Sequence, residues 1–311
     1  MRHRINGAVL TIGLYVLVLC SFSCNHTKSI AYVNEKYTTA SSQFMPVGPL
    51  KVHYRDEGQG KPIVMVHGLG GFLQMWDAWA ADFSQDYRVI RMDLPMSGLT
   101  GPIPELPDEA SIDIFVDFLH GFLMKMEVTD FHLVGNSLGG WVAWAYAAKY
   151  PEHIDKLVLI DAAGLFDVKD GPSAVKLMRG PFGKVYLKSG VPKWMVAMFY
   201  RGAYGDKKQL TKARVNRFYD IINREGNFRA MYDQANFDIH LEKDKVNTIS
   251  TPTLILWGEA DRWIDVKYAY EFDERLPDSE LEVFPGLGHA PMEEAPEVTG
   301  KAARAFFEGA D

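Results

Sequence analysis

The chain has 311 residues, of which 47% are hydrophobic and 23% charged, with a formal charge of −7 at pH 7. This globular composition excludes a disordered chain, a collagen-like repeat and a strongly basic nucleic-acid binder, so we expect no nucleic-acid partner. The length suits one large α/β domain or two small ones. Both cysteines, Cys20 and Cys24, fall near the N-terminus, so no disulfide framework is expected.

The N-terminal segment predicts an export signal followed by a polar tether. Arg2 and Arg4 precede the apolar run 8–20, which is too short for a comfortable membrane span. Small residues before Cys24 are typical of signal-peptidase cleavage, and a cysteine at this point resembles a bacterial lipoprotein site. We therefore expect a signal peptide or anchor at 1–23, a tether at 24–44 and export to the cell envelope. Lipid attachment at Cys24, an uncleaved anchor and free secretion stay open.

Beyond the tether, short apolar or β-branched runs alternate with helical patterns. The predicted strands are 50–57, 63–67, 89–93, 131–135, 157–161, 254–257 and 281–284. The predicted helices are 74–83, 111–126, 138–150, 266–276 and 296–308. This alternation predicts a mostly parallel central sheet flanked by helices, built from 45–163 and 248–311. The helix-rich insertion 164–247 is predicted to be a cap over the active site.

The segment around Ser137 has the pattern of a catalytic serine. An apolar strand runs into Gly-Asn-Ser-Leu-Gly-Gly and then into a helix, which is the context of a nucleophile elbow. Gly135 and Gly139 allow a tight turn that leaves the Ser137 hydroxyl exposed above the sheet. The Gly-x-Ser-x-Gly pattern is a weak signal on its own, but this context makes Ser137 the candidate nucleophile.

A serine nucleophile needs a base, and the base needs an acid that orients it. His289 follows the last predicted strand in a glycine-rich loop, and Asp261 follows the strand before it. The chain order Ser, Asp, His is the order that this architecture uses. Asp265 and Asp161 stay open as alternative acids, and Asp161 has the alternative role of accepting hydrogen bonds from loop amides.

The segment His-Gly-Leu-Gly-Gly at 67–71 predicts the oxyanion hole. We expect the backbone N–H groups of Leu69 and Leu138 to stabilise the oxyanion, with Gly68 beside the substrate. The glycines half-resemble a dinucleotide fingerprint, but Leu73 occupies the position of the third glycine. No His-Glu-x-x-His pattern occurs, and we expect neither a metal nor another cofactor.

Over about residues 45–308, the sequence resembles the α/β-hydrolase superfamily. The resemblance rests on HGLGG, MDLP, LVGNSLGG, WGEADRW and GLGHAPMEEAPE, and it is strongest to the capped group of carboxylesterases, small lipases and ring-cleavage C–C hydrolases. It implies that Ser137 is the nucleophile, His289 the general base and then acid, and Asp261 its orienting group. Relatives often read Asp-x-Pro-Gly-x-Gly where this chain reads DLPMSG at 93–98, so the loop beside the pocket is expected to differ locally.

The type of nucleophile narrows the set of activities expected within the superfamily. Haloalkane dehalogenases and epoxide hydrolases of this fold have an aspartate in place of Ser137 and are disfavoured. C–C hydrolases often have a tryptophan after the catalytic histidine, where this chain has Ala290. The leading prediction is a serine hydrolase that cleaves a medium-sized apolar ester through an acyl-enzyme. C–C hydrolase, thioesterase and acyltransferase chemistry stay open, as does a non-catalytic binding protein.

The insertion is strongly basic, and its composition suggests what substrate and what partner it contacts. Residues 165–220 hold 12 Lys or Arg against 4 Asp or Glu. They include an apolar run at 194–200, from which we expect Trp194, Met198 and Phe199 to contact the substrate. A basic, aromatic cap and an N-terminal anchor favour contact with a membrane surface. The alternative is a helix packed on the core with solvated lysines.

Overall fold

In the computed structural model, the described residues are 25–105, 111–166, 176, 179, 181–236 and 242–309. The predicted signal or anchor and Cys24 lie outside these ranges. Across the described ranges, no helix has both the length and the apolar character needed to cross a bilayer. The strands are β1 Gln43–Val47, β2 Leu50–Glu57, β3 Pro62–Val66, β4 Arg88–Met92, β5 Phe131–Asn136, β6 Ile154–Ile160, β7 Thr253–Gly258 and β8 Ser279–Phe284.

These strands form one sheet in the order β1-β2-β4-β3-β5-β6-β7-β8. Strands β3 to β8 are parallel to one another, whereas β1 pairs antiparallel with β2, and β2 pairs antiparallel with β4. The expected mostly parallel sheet is confirmed, and every predicted strand is present. The sequence did not predict β1, because Pro46 and mixed exposure obscure the alternation of this edge strand.

Helices flank the sheet, as expected. They are α1 Ile30–Tyr37, α2 Asp77–Phe83, α3 Asp113–Lys125, α4 Leu138–Lys149, α5 Pro181–Val185, α6 Lys193–Arg201, α7 Lys212–Ile222, α8 Asn227–Ala235, α9 Lys267–Arg275, α10 Pro291–Glu294 and α11 Pro296–Glu308. The five predicted helices all appear. The predicted 74–83 helix begins differently, because its first turn belongs to the 3₁₀ helix Leu73–Trp76.

The sheet is buried on both faces, which fixes the strand ends that carry the site. Every residue of β5 is buried. Leu133 belongs to the hydrophobic cluster that contains Phe122, and the next residue, Val134, belongs to the opposite cluster with Trp79. Successive side chains on a strand point to opposite faces, so both faces of the sheet are packed. The carboxyl end of β5 therefore holds the residue that follows it rigidly.

The insertion between β6 and β7 contains helices α5 to α8. Some of its residues lie outside the described part of the chain. Its bounds of 164–247 and its role as a cap stay predictions, as does the division of the rest into a core.

Residues 25–37 differ from the polar tether that the sequence predicts. They include helix α1, whose N-terminus is capped where Ser29 Oγ accepts a hydrogen bond from the Tyr32 N–H. Lys36 Nζ and Tyr37 Oη both contact the Asp220 carboxylate on α7, at 2.6 and 2.8 Å. Lys36 and Tyr37 thus tie this segment to the insertion, and we call residues 25–37 the N-terminal arm.

Candidate active site

Ser137 lies between β5 and α4 in a strained backbone conformation. Its φ of +56° is in the left-handed region, which costs a non-glycine residue about 1–3 kcal/mol. The strain is held by hydrogen bonds from Ser137 N–H to Ile160 O at 3.0 Å and from Ala163 N–H to Ser137 O at 2.9 Å. Gly139 must lack a side chain, because a Cβ there would lie 2.2 Å from Val66 O. The neighbouring strands thus impose the sharp turn that the sequence predicts.

The structure brings His289 and Asp261 together. Nδ1 of His289 lies 2.7 Å from Oδ2 of Asp261, and both side chains are buried. The carboxylate can only accept, so His289 Nδ1–H is the donor and Nε2 is left unprotonated. Asp261 Oδ1 also accepts hydrogen bonds from the N–H groups of Trp263 at 2.7 Å and Ile264 at 3.1 Å. The acid is therefore fixed and holds the imidazole in the tautomer that a general base needs.

His289 and Ser137 line the same cavity, as a base and a nucleophile that act together would require. The His289 Nε2 atom is buried and has no hydrogen-bond partner among the described residues. An unpaired buried acceptor costs free energy, and it is a common feature of proton-transfer sites. In unliganded enzymes such contacts often tighten only when substrate binds.

The two alternative acids have other contacts. Asp265 Oδ1 accepts from Lys267 N–H at 2.9 Å, at the start of α9. Asp161 Oδ1 accepts from Gly258 N–H at 3.0 Å, which is the backbone role considered above. Asp161 nevertheless lies close to the pair, because single atoms of Asp161, Asp261 and His289 all lie within 4.8 Å of one another.

The environment of Asp161 favours its protonated form. Complete burial raises the pKa of the Asp161 carboxyl well above its usual value, and the nearby charge of Asp261 raises it further. A protonated Asp161 can donate a hydrogen bond to Asp261. Within the described residues, this is the one group of three side chains close enough to share a metal ion. Because Asp261 already accepts from His289 and two backbone amides, the group fits a hydrogen-bonded acid pair.

The loop after β3 approaches the nucleophile closely. A Cβ on Gly68 would lie 2.8 Å from Ser137 Cβ, so only glycine allows this approach. Leu69 lines the cavity, and Leu138 is the first residue of α4, whose N–H has no acceptor within the helix. Buried His67 donates from Nδ1 to Gly68 O at 2.8 Å and accepts from Leu94 N–H at 3.0 Å. Its neutral form is required, and burial lowers its pKa accordingly.

The loop after β4 keeps its turn without the glycine that relatives often have. Met96 occupies that position with a φ of +69° and is buried. Asp93 supports the turn, because its carboxylate accepts from the N–H groups of Leu73 and Leu99, each at 2.7 Å. The altered segment therefore keeps a left-handed residue at some cost in backbone strain.

Two further residues that the sequence did not single out hold the histidine loop. Asn136 Nδ2 donates to His289 O and to Ile160 O, each at 3.1 Å. Glu294 accepts from Gly288 N–H at 2.7 Å and from Asp206 N–H, in the insertion, at 3.1 Å. The sequence signal for Asn136 is that it lies within LVGNSLGG, and the signal for Glu294 is that it lies within GLGHAPMEEAPE. A motif match names such positions without saying what they bind.

The cavity above Ser137 is narrow, with a volume of about 20 Å³, which is enough for about one water molecule. Its lining is mostly apolar and includes Leu69, Met75, Tyr200, Phe218, Trp263 and Ala290. Gly68, which the sequence predicts to lie beside the substrate, also lines the cavity. The other three predicted substrate contacts do not line it. Phe199 packs on the Trp263 ring at 4.8 Å between centroids, and the side chains of Trp194 and Met198 are 46% and 54% exposed.

The chain matches proteins of two activities. The monoacylglycerol lipase ABHD6 of Bos taurus is 29% identical over 259 residues, covering 78% of this chain and 74% of that protein. The 2-hydroxy-6-oxononadienedioate/2-hydroxy-6-oxononatrienedioate hydrolase of Paraburkholderia phymatum is 30% identical over 256 residues, covering 77% and 85%.

Solved structures match the fold. A bacterial membrane phospholipase A has a TM-score of 0.75 and 24% identity, and the match covers 99% of both chains. The meta-cleavage product hydrolase CumD of Pseudomonas fluorescens IP01 has the same TM-score and 22% identity, and the match covers 86% of this chain and 98% of that one. The family model of the α/β hydrolase fold matches residues 61–296. The chain belongs to the α/β-hydrolase family.

Proposed function

We propose that this α/β hydrolase cleaves carboxylic esters through an acyl-enzyme on Ser137. The observation that carries the proposal is the buried His289–Asp261 pair, with a 2.7 Å hydrogen bond on one side of the imidazole and an unpaired Nε2 facing the cavity of Ser137 on the other. This arrangement suits a base that removes the serine proton while its charged form is stabilised by the carboxylate.

The proposed reaction has two halves. His289 Nε2 takes the Ser137 proton as Oγ attacks the ester carbonyl, and the resulting oxyanion accepts hydrogen bonds from the N–H groups of Leu69 and Leu138. The C–O bond to the alcohol then breaks, and the alcohol leaves with the proton from His289. In the second half, water gives its proton to His289, attacks the acyl carbonyl and releases the acid, and the proton returns to Ser137.

The lining of the cavity supports an apolar acyl group. In this structure the cavity has a volume of about 20 Å³, far below the roughly 300–1,000 Å³ that ligand cavities occupy, so we expect its lining to move apart when an ester binds. Aromatic side chains such as Tyr200 and Trp263 line it. The names of two similar proteins, a monoacylglycerol lipase and a membrane phospholipase A, favour acylglycerols or phospholipids as natural esters.

C–C bond hydrolysis is the second candidate, because a relative at 30% identity carries the name of such a hydrolase. The two reactions share the serine and histidine but differ in substrate. Ala290 follows the catalytic histidine here, which disfavours the C–C reaction by the resemblance described above.

A substrate comparison tests the proposal. Purified protein is assayed with p-nitrophenyl esters from acetate to palmitate and, separately, with 2-hydroxy-6-oxo-6-phenylhexa-2,4-dienoate, with the Ser137→Ala variant as control. We expect ester turnover with an optimum at short or medium acyl length and none in the variant. Turnover of the dienoate at a higher kcat/KM than every ester would overturn the proposal in favour of C–C cleavage.

We also propose that the protein is exported and anchored in the cell envelope. The support is Arg2 and Arg4 before the apolar run 8–20, and Cys24 after small residues. Cell fractionation with intact-mass analysis tests this. A lipid-sized mass increase that is lost in Cys24→Ser identifies lipid attachment, and an unprocessed chain in the soluble cytosol contradicts export.

A further inference from the structure

Most of the exposed large apolar side chains belong to three elements of the chain. Seven large hydrophobic side chains are exposed in the described part of the chain. Five of them lie on the N-terminal arm and on helices α5 and α6, namely Ile30, Tyr32, Val185, Trp194 and Met198. The other two, Tyr270 and Val298, lie on α9 and α11. Exposed apolar clusters on a soluble domain mark interaction surfaces more often than scattered single residues do.

Cation–ring contacts join the arm to α6. Lys28 Nζ lies 5.9 Å from the Tyr32 ring centroid and 5.4 Å from that of Tyr219. Lys193 Nζ, from the residue just before Trp194, lies 5.9 Å from the same Tyr219 ring. The exposed residues of the arm and the start of α6 are therefore neighbours, and we call this surface, with Lys28 and Lys193, the arm–cap face.

The arm–cap face is basic as well as apolar. Residues 181–220 contain nine Lys or Arg and two Asp or Glu. One of the two acids, Asp220, is already occupied by Lys36 and Tyr37 of the arm. Two further acids lie close to the face, namely Glu35 of the arm and Glu225, whose N–H donates to Lys28 O at 2.9 Å, but the basic residues still outnumber the acids. Apolar side chains rimmed by basic ones complement an anionic lipid surface, where the rings enter the interface and the cations meet headgroups.

The first residues of the arm are also fixed on the insertion. His26 N–H donates to Ser189 O at 2.6 Å, so the start of the arm is fixed on the insertion. The apolar run 8–20 lies just before it in the sequence. A membrane that takes up this run would meet the arm–cap face first, because only residues 21–24 separate the run from the arm.

We propose that the arm–cap face rests on an anionic lipid surface, with Trp194 and Met198 in the interface and Lys28 and Lys193 on the headgroups. Helix α6, which carries Trp194 and Met198, also contacts the Ser137 cavity. From the inner side of α6, Tyr200 donates to Gly70 O at 3.0 Å and lines the Ser137 cavity. Docking therefore places the cavity one helix away from the lipid. The proposal concerns binding and is independent of which bond the enzyme cleaves.

Tryptophan fluorescence tests it on the full-length protein. All seven tryptophans are described, and Trp194 is the one with an exposed ring. The protein is reconstituted in vesicles of equal parts phosphatidylglycerol and phosphatidylcholine, with or without bromine on the acyl chains. The signal of Trp194 is the emission of the wild type minus that of Trp194→Phe. We expect bromine to reduce this signal by about twofold or more, since an interfacial ring lies near the acyl chains.

Charge variants show whether the basic residues direct the docking. Lys28→Glu/Lys193→Glu should restore most of the Trp194 emission. The matched control Lys267→Glu/Lys301→Glu changes the same charge at exposed positions on α9 and α11 and should leave quenching in place. Thermal unfolding confirms that each variant folds. Failure of bromine to change the Trp194 signal would overturn the proposal, as would equal quenching in both charge variants. If light scattering then shows a dimer that Trp194→Ser/Met198→Ser dissociates, the face belongs to a second copy of the chain.

Discussion

Asn136 donates a hydrogen bond from Nδ2 to the main-chain carbonyl of His289 at 3.1 Å. The residue before the nucleophile thus holds the backbone of the base. The same amide donates to Ile160 O, so one side chain ties β5, β6 and the histidine loop together. Positioning of this kind matters because small misplacements of a catalytic group are costly in rate.

Replacing Asn136 should therefore slow catalysis more than it weakens substrate binding. Asn136→Ala removes both donated bonds, and loss of buried bonds of about 1–2 kcal/mol corresponds to a fall in kcat of roughly tenfold. Asn136→Asp retains the shape but cannot donate when ionised, so it should fall at least as far. Steady-state kinetics on a short p-nitrophenyl ester provide the measurement. A change confined to KM would contradict this role.

Asp161 should act in its neutral form. Burial raises its pKa, so Asp161→Asn keeps the charge and shape of the protonated residue and should retain activity within about twofold near pH 7. Asp161→Ala leaves Gly258 N–H without its acceptor and should be less active and less stable. Asp261→Asn is the comparison, because it removes the negative charge opposite His289. Equal loss of kcat in Asp161→Asn and Asp261→Asn would show that an ionised Asp161 is needed.

Glu294 should couple the insertion to the histidine loop. Glu294→Ala removes the acceptor for Gly288 N–H and Asp206 N–H, and we expect kcat to fall by roughly tenfold as His289 loses its fixed position. Glu294→Gln keeps one carbonyl acceptor and should recover part of the rate. Kinetics and thermal unfolding of both variants check this. Identical rates in Glu294→Gln and Glu294→Ala would indicate that the acceptor does not position the loop.

His132 should make the fold sensitive to acid. Burial lowers its pKa from 6.5 to about 4, so between these values the unfolded chain binds a proton that the folded chain does not. Stability is therefore lost as the pH falls through this window. Urea unfolding at about pH 7.5 and 5 should show that the wild type loses about 2 kcal/mol more than His132→Phe, which keeps a ring against Phe307. An equal loss in both proteins would assign the acid sensitivity to other groups.

The core elements could be predicted because their patterns are local. Strands β3 to β7 are buried on both faces and read as short apolar runs, so their positions follow from composition alone. Ser137 was predictable for the same reason, since its glycines and flanking elements are contiguous. Helix α1 was not, because its packing depends on a distant partner, Asp220. Edge strand β1 pairs with the next strand in the chain, but Pro46 and its mixed exposure obscure the alternation that would predict it.

The fine structure of the site also depends on distant contacts. The sequence places Asp161 among the candidate acids, but it does not indicate that Asp161 lies within 4.8 Å of Asp261, a hundred residues later in the chain. Trp194 and Met198 show that a local pattern can also be insufficient. An apolar run at helical spacing predicts a buried face, but it does not say which of its members turn outward. Tyr200 turned toward the cavity, and the two others toward solvent.

The most direct test of the account is whether Ser137 is the nucleophile. The wild type and the variants Ser137→Ala and His289→Ala are incubated with a fluorophosphonate, and the intact mass and the labelled peptide are measured. We predict one adduct per wild-type chain, on Ser137, with none in Ser137→Ala and slow labelling in His289→Ala. Undiminished labelling of Ser137→Ala, or a wild-type adduct that maps to another serine, would contradict the account.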